Sequence, residues 1–348
     1  MPVVLVQWVV TYGSQVHNFS VDEYFKNRYS IARLFYIASF INSLANGVTG
    51  PLVVVYLLFL HINPAQIGVL LALGRLAVII FEFPTGLFSD WCGRKKSLLI
   101  SFALSSALLL GWFLSTGFYQ FVFIFIASGL AFTFQSGSKE SLMIDMLRLS
   151  RRDGLRNKFF VRTGSWANTG FVVGGLLAAL LSFYALSSIW LVASICNVVL
   201  FIIFLFGVKE SALLNLNTKQ VGTRVFGAKK MLNMYVGHFY AASKSVLRTL
   251  LLSRPLLRLL GVIIFFSCAT AAYGLAYPIY FKQTLGLPNY MFGILGSISA
   301  LMGIVGMFIG EKICQSRGYI YTLKVAAISL LVLFIAFYVY IGSGIGSI

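Results

Sequence analysis

Charge is scarce in this chain. Charged residues make up 10% of its 348 positions, against roughly a quarter in ordinary soluble domains. So little charge cannot cover a water-facing surface. With 59% hydrophobic residues and a mean hydropathy of +0.89, a polytopic membrane protein is the class that remains. Histidine is nearly missing, and His17, His61 and His238 all lie outside the long apolar runs. The four cysteines, Cys92, Cys196, Cys268 and Cys314, form no CxxC pair. Neither a metal site nor a disulfide framework is indicated. No Walker loop, HExxH or GxSxG motif occurs. A membrane-embedded enzyme or an ATP-driven pump therefore has no residues to build on, and no cofactor is expected. A cleavable signal peptide is not expected either. The early apolar patch, Val3 to Val10, is too short to span, and residues 1–28 read as an N-terminal extension.

The charge that is present is mostly basic. There are 27 Lys and Arg against 9 Asp and Glu, for a net charge of +18. A nucleic-acid binder would gather its cations on one soluble face. Here they fall between apolar runs, with only Arg75, Lys139 and Lys282 outside the basic loops and their flanks. Nucleic acid is not an expected partner. The apolar runs predict nine membrane spans, at about 31–60, 65–88, 97–116, 119–146, 164–183, 187–208, 256–281, 291–313 and 321–341. Loops after spans 2, 4, 6 and 8 are basic. Those after spans 1, 3, 5 and 7 carry almost no cations, Lys282 excepted. Lys26, Arg28 and Arg33 precede the first span. By the positive-inside rule the N-terminus is cytoplasmic, in a multi-pass protein of the plasma membrane. Pro51 should kink the first span.

Residues 209–254 interrupt this pattern with a polar, basic stretch. Met231, Leu232, Tyr235, Phe239 and Ala242 recur at near-helical spacing. An amphipathic helix on the inner surface, meeting anionic headgroups, accounts for them; a solvated linker helix does so equally. The expected organisation is an extension (1–28), a six-helix bundle (29–208), a basic cytoplasmic linker (209–254) and an incomplete bundle of three helices (255–348).

The densest polar stretch is Gly86-Leu87-Phe88-Ser89-Asp90-Trp91-Cys92-Gly93-Arg94-Lys95-Lys96. Asp90 should close one helix at the membrane face and accept hydrogen bonds from N–H groups at a neighbouring helix start. Gly86 should let another helix approach closely. Gly93 permits a positive φ in a tight turn. Arg94, Lys95 and Lys96 hold the loop on the cytoplasmic side. The stretch resembles the signature loop between helices 2 and 3 of the major facilitator superfamily, G-x-x-x-D-[RK]-x-G-R-[RK]. Gly86, Asp90, Gly93, Arg94 and Lys95 fall on the pattern, and Trp91 stands where a cation is usual.

The resemblance implies a major-facilitator-like all-α bundle working by alternating access. It covers about residues 30–342. Glu82-Phe83-Pro84-Thr85-Gly86, and Ser136 to Asp145 at the end of span 4, resemble a prokaryotic permease or multidrug-type branch. The family pattern implies that Arg94 pairs with Asp145. With Asp90 they would form an inner latch stabilising the outward-facing state. Gly170-Phe171-Val172-Val173-Gly174-Gly175 has the glycines of an antiporter motif without its proline, and more often marks close helix packing. Gly310 to Gly318, where the second half should repeat the signature, is a poor copy. Twelve helices would need about 400 residues, so a shortened or truncated relative is expected.

Charged groups at membrane depth are costly and usually face a cavity or a partner. Arg75 and Glu82, seven residues apart, share a face of span 2. Arg75 would attract an anionic group and Glu82 would be a titratable coupling site; a purely structural network is the alternative. Asn42, Asn46 and Gln135 could line the cavity or simply bond helices together. Tyr273, Tyr277 and Tyr280 suit a cavity stripe or an outer aromatic belt. The resemblance, with these residues, implies a secondary transporter of a small solute, coupled to protons, with uptake and efflux both open; a monomer is expected. A non-transporting membrane sensor is the alternative.

Overall fold

A computed structural model describes residues 30–149, 156–208 and 253–342. Among these residues every regular element is helical. Eight helices or helix pairs are long and apolar enough to cross a bilayer, and they overlap the first eight predicted spans. The ninth falls in the helix Tyr319–Gly342. The extension, the amphipathic stretch of the linker and the end of the chain lie outside the described residues.

The first span is two helices, α1 (Ser30–Thr49) and α2 (Val53–Phe59), joined by the 3-10 turn Gly50–Leu52. Pro51 brings no N–H, so the α-helical ladder cannot run through it. Asn63 then caps α3 (Pro64–Cys92) with a capping box. Its side chain accepts from the Gln66 N–H at 2.8 Å, and the Gln66 side chain accepts from the Asn63 N–H at 3.2 Å. Two otherwise unsatisfied helix-start donors are thereby paired.

The predicted loop between spans 2 and 3 shrinks to one residue. α3 runs through Asp90 to Cys92, and α4 (Arg94–Leu114) begins at once. Gly93 reverses the chain at φ 99°, and its N–H bonds the Ser89 carbonyl at 3.1 Å. Only glycine enters that region cheaply. The basic residues were expected in a loop because of their charge, but Arg and Lys are good helix formers and here open α4. The second half repeats the device. α10 (Asn289–Arg317) has 29 residues, as α3 has, and ends on Gly318 at φ 82° with α11 (Tyr319–Gly342) following directly. The side chains of the second signature have diverged, but the backbone turn has not.

The fourth span departs from its predicted single helix. α5 (Phe118–Gln135) and α6 (Ser138–Leu149) are separated at Ser136 and Gly137, the latter at φ 70°. α7 (Arg156–Tyr184), α8 (Ser188–Gly207) and α9 (Arg254–Gln283) complete the described helices.

Small residues hold the bundle together, as they do where backbones must approach in lipid. α1 packs most extensively on α7. A Cβ on Gly170 or Gly174 would strike the carbonyl of Phe40 or Leu44 on α1, and one on Gly47 would strike Phe171. The next glycine, Gly175, faces α10, where Gly293 lies backbone to backbone with it and Ser297 donates to the Val172 carbonyl at 2.9 Å. α3 and α5 close up at Gly74 and Gly129, where a Cβ on Gly129 would lie 2.7 Å from the Gly74 oxygen. Gly170, Gly174 and Gly175 of span 5 are thus packing residues.

Aromatic clusters close both ends of this bundle. Trp112 stacks on Trp190 at 4.1 Å, with Tyr56 and Phe121 against them. At the other end Phe35 meets Phe159 and Phe204 edge-on, and Phe204 touches Phe102. Such contacts add about 0.5–1.5 kcal/mol each beyond burial. α1 to α8, with the last turn of α9 from Ile279, α10 and α11, form one compact unit. α9 up to Pro278 belongs to a second. Lys282, the cation that broke the charge alternation, donates to the Asn289 side chain at 2.7 Å and so ties the end of α9 to the start of α10.

Candidate functional site

The break in span 4 is where the polar groups of the bundle converge. Ending α5 at Gln135 leaves carbonyls without intrahelical donors, and the turn offers Ser136 and Ser138 hydroxyls on either side of Gly137. Gln135 donates from Nε2 to Asn42 Oδ1 on α1 at 3.0 Å. The Ser136 hydroxyl donates to Glu82 Oε1 on α3 at 3.0 Å. Two adjacent residues of the break therefore hold two of the predicted site residues, from two different helices, at one depth. Glu82 remains exposed, so the carboxylate has one partner and an open side.

Below the break runs a buried chain of hydroxyls. Ser97 donates to the Phe134 carbonyl at 2.7 Å, and Ser138 donates to Ser97 at 3.2 Å. Ser138 has then spent its only proton, so Ser89, 2.8 Å away, must be the donor to it. The chain Ser89→Ser138→Ser97→Phe134 satisfies one of the orphaned carbonyls and fastens α3 and α4 to the start of α6. Sequence reading missed it, because a serine's distant partner leaves no spacing signal.

The signature residues divide. Arg94 donates from Nη1 to Asp145 Oδ2 on α6, forming an ion pair about a fifth exposed on each side (23% and 22%). Among the described residues it is the ion pair of the structure. Lys95 caps the end of α8, donating to the Leu205 and Val208 carbonyls at 2.8 and 2.6 Å. A cation at a helix C-terminus meets the negative end of its dipole. Asp90 does not join the Arg94–Asp145 pair. It sits inside the last turn of α3, exposed, bonded to no described residue. The helix start it was expected to cap is entered instead through Gly93, without a side-chain cap. Gly86 has no close neighbour either: a Cβ there would meet nothing within 4 Å, because it lies on the exposed stripe of α3.

Arg75 and Asn46 are exposed and bonded to no described residue. Pro84 withdraws its N–H from the Ile80 carbonyl inside α3. The neighbouring Thr85 hydroxyl donates to Phe81 and Glu82 carbonyls at 2.8 and 3.2 Å. This fixes the helix directly beside the Glu82 side chain. Tyr273 and Tyr277 stack along α9 at 5.1 Å. No group of three or more His, Cys, Asp or Glu suited to a metal ion occurs among the described residues.

Comparison with known proteins places this arrangement. An uncharacterized MFS-type transporter, YxaM of Bacillus subtilis (strain 168), is 38% identical over 72 residues, 21% of this chain and 18% of that protein's length. In fold, the chain is similar to the nucleoside transporter NupG, with a TM-score of 0.59 at 14% identity, over 82% of this chain and 68% of that one. A D-xylose-proton symporter gives 0.54 at 13% identity, over 83% and 69%. The sequence pattern of the Major Facilitator Superfamily matches residues 35–348. With the one-residue Gly93 turn, the Arg94–Asp145 pair and the helix order all in keeping with that match, the chain belongs to the Major Facilitator Superfamily.

Proposed function

We propose that this protein is a secondary transporter that carries a small solute across the plasma membrane by alternating access, with proton coupling through Glu82. The observation that carries the reading is the meeting at the span-4 break. An exposed carboxylate at membrane depth is bonded by a single hydroxyl, beside an interhelical amide pair. Such a group is costly unless it faces water, a partner or a proton pathway. Asn42, Asn46, Gln135, Arg75 and Glu82 then line the route, near the midplane where superfamily transporters hold substrate. A proton on Glu82 removes the negative charge that the Ser136 hydroxyl meets and so loosens α3 from the break. The Arg94–Asp145 pair acts as the inner latch, joining the start of α4 to α6 while the cytoplasmic side is closed. The expected orientation has nine spans with the N-terminus in the cytoplasm, and uptake and efflux are the same cycle run in opposite directions. One structural relative is a D-xylose-proton symporter, and proton coupling here is in keeping with that.

The test is flux in proteoliposomes under an imposed pH gradient, wild type against Glu82→Gln. The reading expects gradient-driven accumulation by wild type and only downhill exchange by the variant. Equal accumulation by both would remove Glu82 from coupling. Absence of flux for every solute at every pH would favour a non-transporting membrane sensor.

A further inference from the structure

The transport reading, on which this inference rests, leaves the chemistry of the solute open, and Arg75 narrows it. Arg75 is three residues from the midpoint of the 29-residue helix α3, or about 4.5 Å along its axis. In a hydrocarbon layer of about 30 Å it therefore sits on the order of 10 Å inside the nearer boundary. A guanidinium at that depth is costly unless it faces water or an anion. Its geometry matters too: the planar fork matches the two oxygens of a carboxylate or phosphate, which a point cation does not.

None of the carboxylates whose side chains are described, Glu82, Asp90, Glu140 and Asp145, is bonded to it. Asp145 is held by Arg94, and Glu82 is held by Ser136 one α3 face-repeat away. Asp90 lies near the opposite end of α3, and Glu140 lies beyond the break on α6. Arg75 is exposed, on the same face of α3 as Glu82. Asn46 adds a second open group. Asn42 and Glu82 share a depth, since adjacent residues of the break bond them. The short turn between α2 and α3 puts the C-terminal end of span 1 and the Pro64 end of α3 on one side of the membrane. From Asn42, Asn46 lies about 6 Å toward that side, and from Glu82, Arg75 lies about 10 Å the same way. Both are exposed and bonded to no described residue. A coupling carboxylate thus lies on one side of the midpoint, and an open guanidinium and an open amide lie on the other.

We infer that the transported solute carries an anionic group, a carboxylate or a phosphate, held by Arg75, with Asn46 bonding an adjacent polar group. The solute enters as an anion and the proton taken up at Glu82 accompanies it.

The experiment is thermal unfolding of the full chain in nanodiscs of neutral phosphatidylcholine, at fixed ionic strength. The probes are matched pairs: gluconate and glucose, uridine monophosphate and uridine, benzoate and benzamide, with inorganic phosphate alone. At least one anionic member should raise the melting temperature while its neutral partner does not. Arg75→Gln should weaken that binding on the order of 10- to 100-fold, and Arg75→Lys less. Should Arg75→Gln fail to fold, Arg75→Lys and Asn46→Ala carry the same comparison. Equal stabilisation by neutral members, no response to any anion, or a response untouched at Arg75 overturns the inference. So does stabilisation by anionic lipid alone, compared in discs containing phosphatidylglycerol. Anion binding without flux would retire the transport reading and leave this site standing. Flux of a neutral solute unchanged by Arg75→Gln would do the reverse.

Discussion

At the scale of single residues, the Arg94–Asp145 ion pair is the strongest contact to test. Each partner of the Arg94–Asp145 pair is about a fifth exposed, between the surface pairs worth under about 1 kcal/mol and buried ones whose rupture costs about 3–5. Arg94→Asp and Asp145→Arg should each lower flux on the order of 10-fold, the effect of about 1.4 kcal/mol. The double exchange should recover most of it in the same proteoliposomes; no recovery would mean that the two act separately. Ser138→Ala cuts the hydroxyl chain in the middle, leaving Ser89 without its acceptor and the Ser97 hydroxyl without its donor. A loss of about 1–3 kcal/mol follows, read as a lower melting temperature with helix content unchanged. Arg94 and Asp145 were legible in the sequence because the family pattern they resemble names both positions. Ser89, Ser97 and Ser138 were not, since serine is common in such helices and their partners are tens of residues away. Asp90 and Gly86 were misread for a related reason. The motif names positions but cannot say which way a helix that continues past them will turn its face.

Among elements, the contact of α1 with α7 decides whether the bundle closes. Gly174→Leu would push a side chain into the Leu44 carbonyl and Gly47 on α1, costing about 3 kcal/mol by overpacking. Gly164, on the same helix, has open space around it, so Gly164→Ala should leave the melting temperature within a degree or two. If both variants melt alike, the glycine contact is not what joins these helices. Hydropathy located the spans because a bilayer forces every crossing to be a long apolar run, and Pro51 announced its own kink. Two features escaped it. The break at Ser136 and Gly137 falls in the polar stretch Gln135 to Ser141, which reads in sequence as the inner end of one continuous span. The one-residue turn at Gly93 looks like a loop in sequence because its cations are where a loop's would be, yet they are helical.

For the whole molecule, the proposed transport cycle requires that the stripe of α3 that carries Arg75, Ile79 and Glu82 face a water-filled route rather than lipid. Ile79 is 75% exposed and lies between the two charges. A single cysteine there, in a chain with Cys92, Cys196, Cys268 and Cys314 replaced by serine, reports on the route without touching a charged group. The decisive measurement is labelling of Ile79→Cys by a membrane-impermeant maleimide added to one side of sealed membranes and then the other. The account predicts labelling at a rate set by the side of addition, and a rate that changes when a transported solute or the pH on one side is changed. A cysteine that reacts from neither side, yet reacts fully once the protein is denatured, would put this stripe in lipid and contradict the transport pathway.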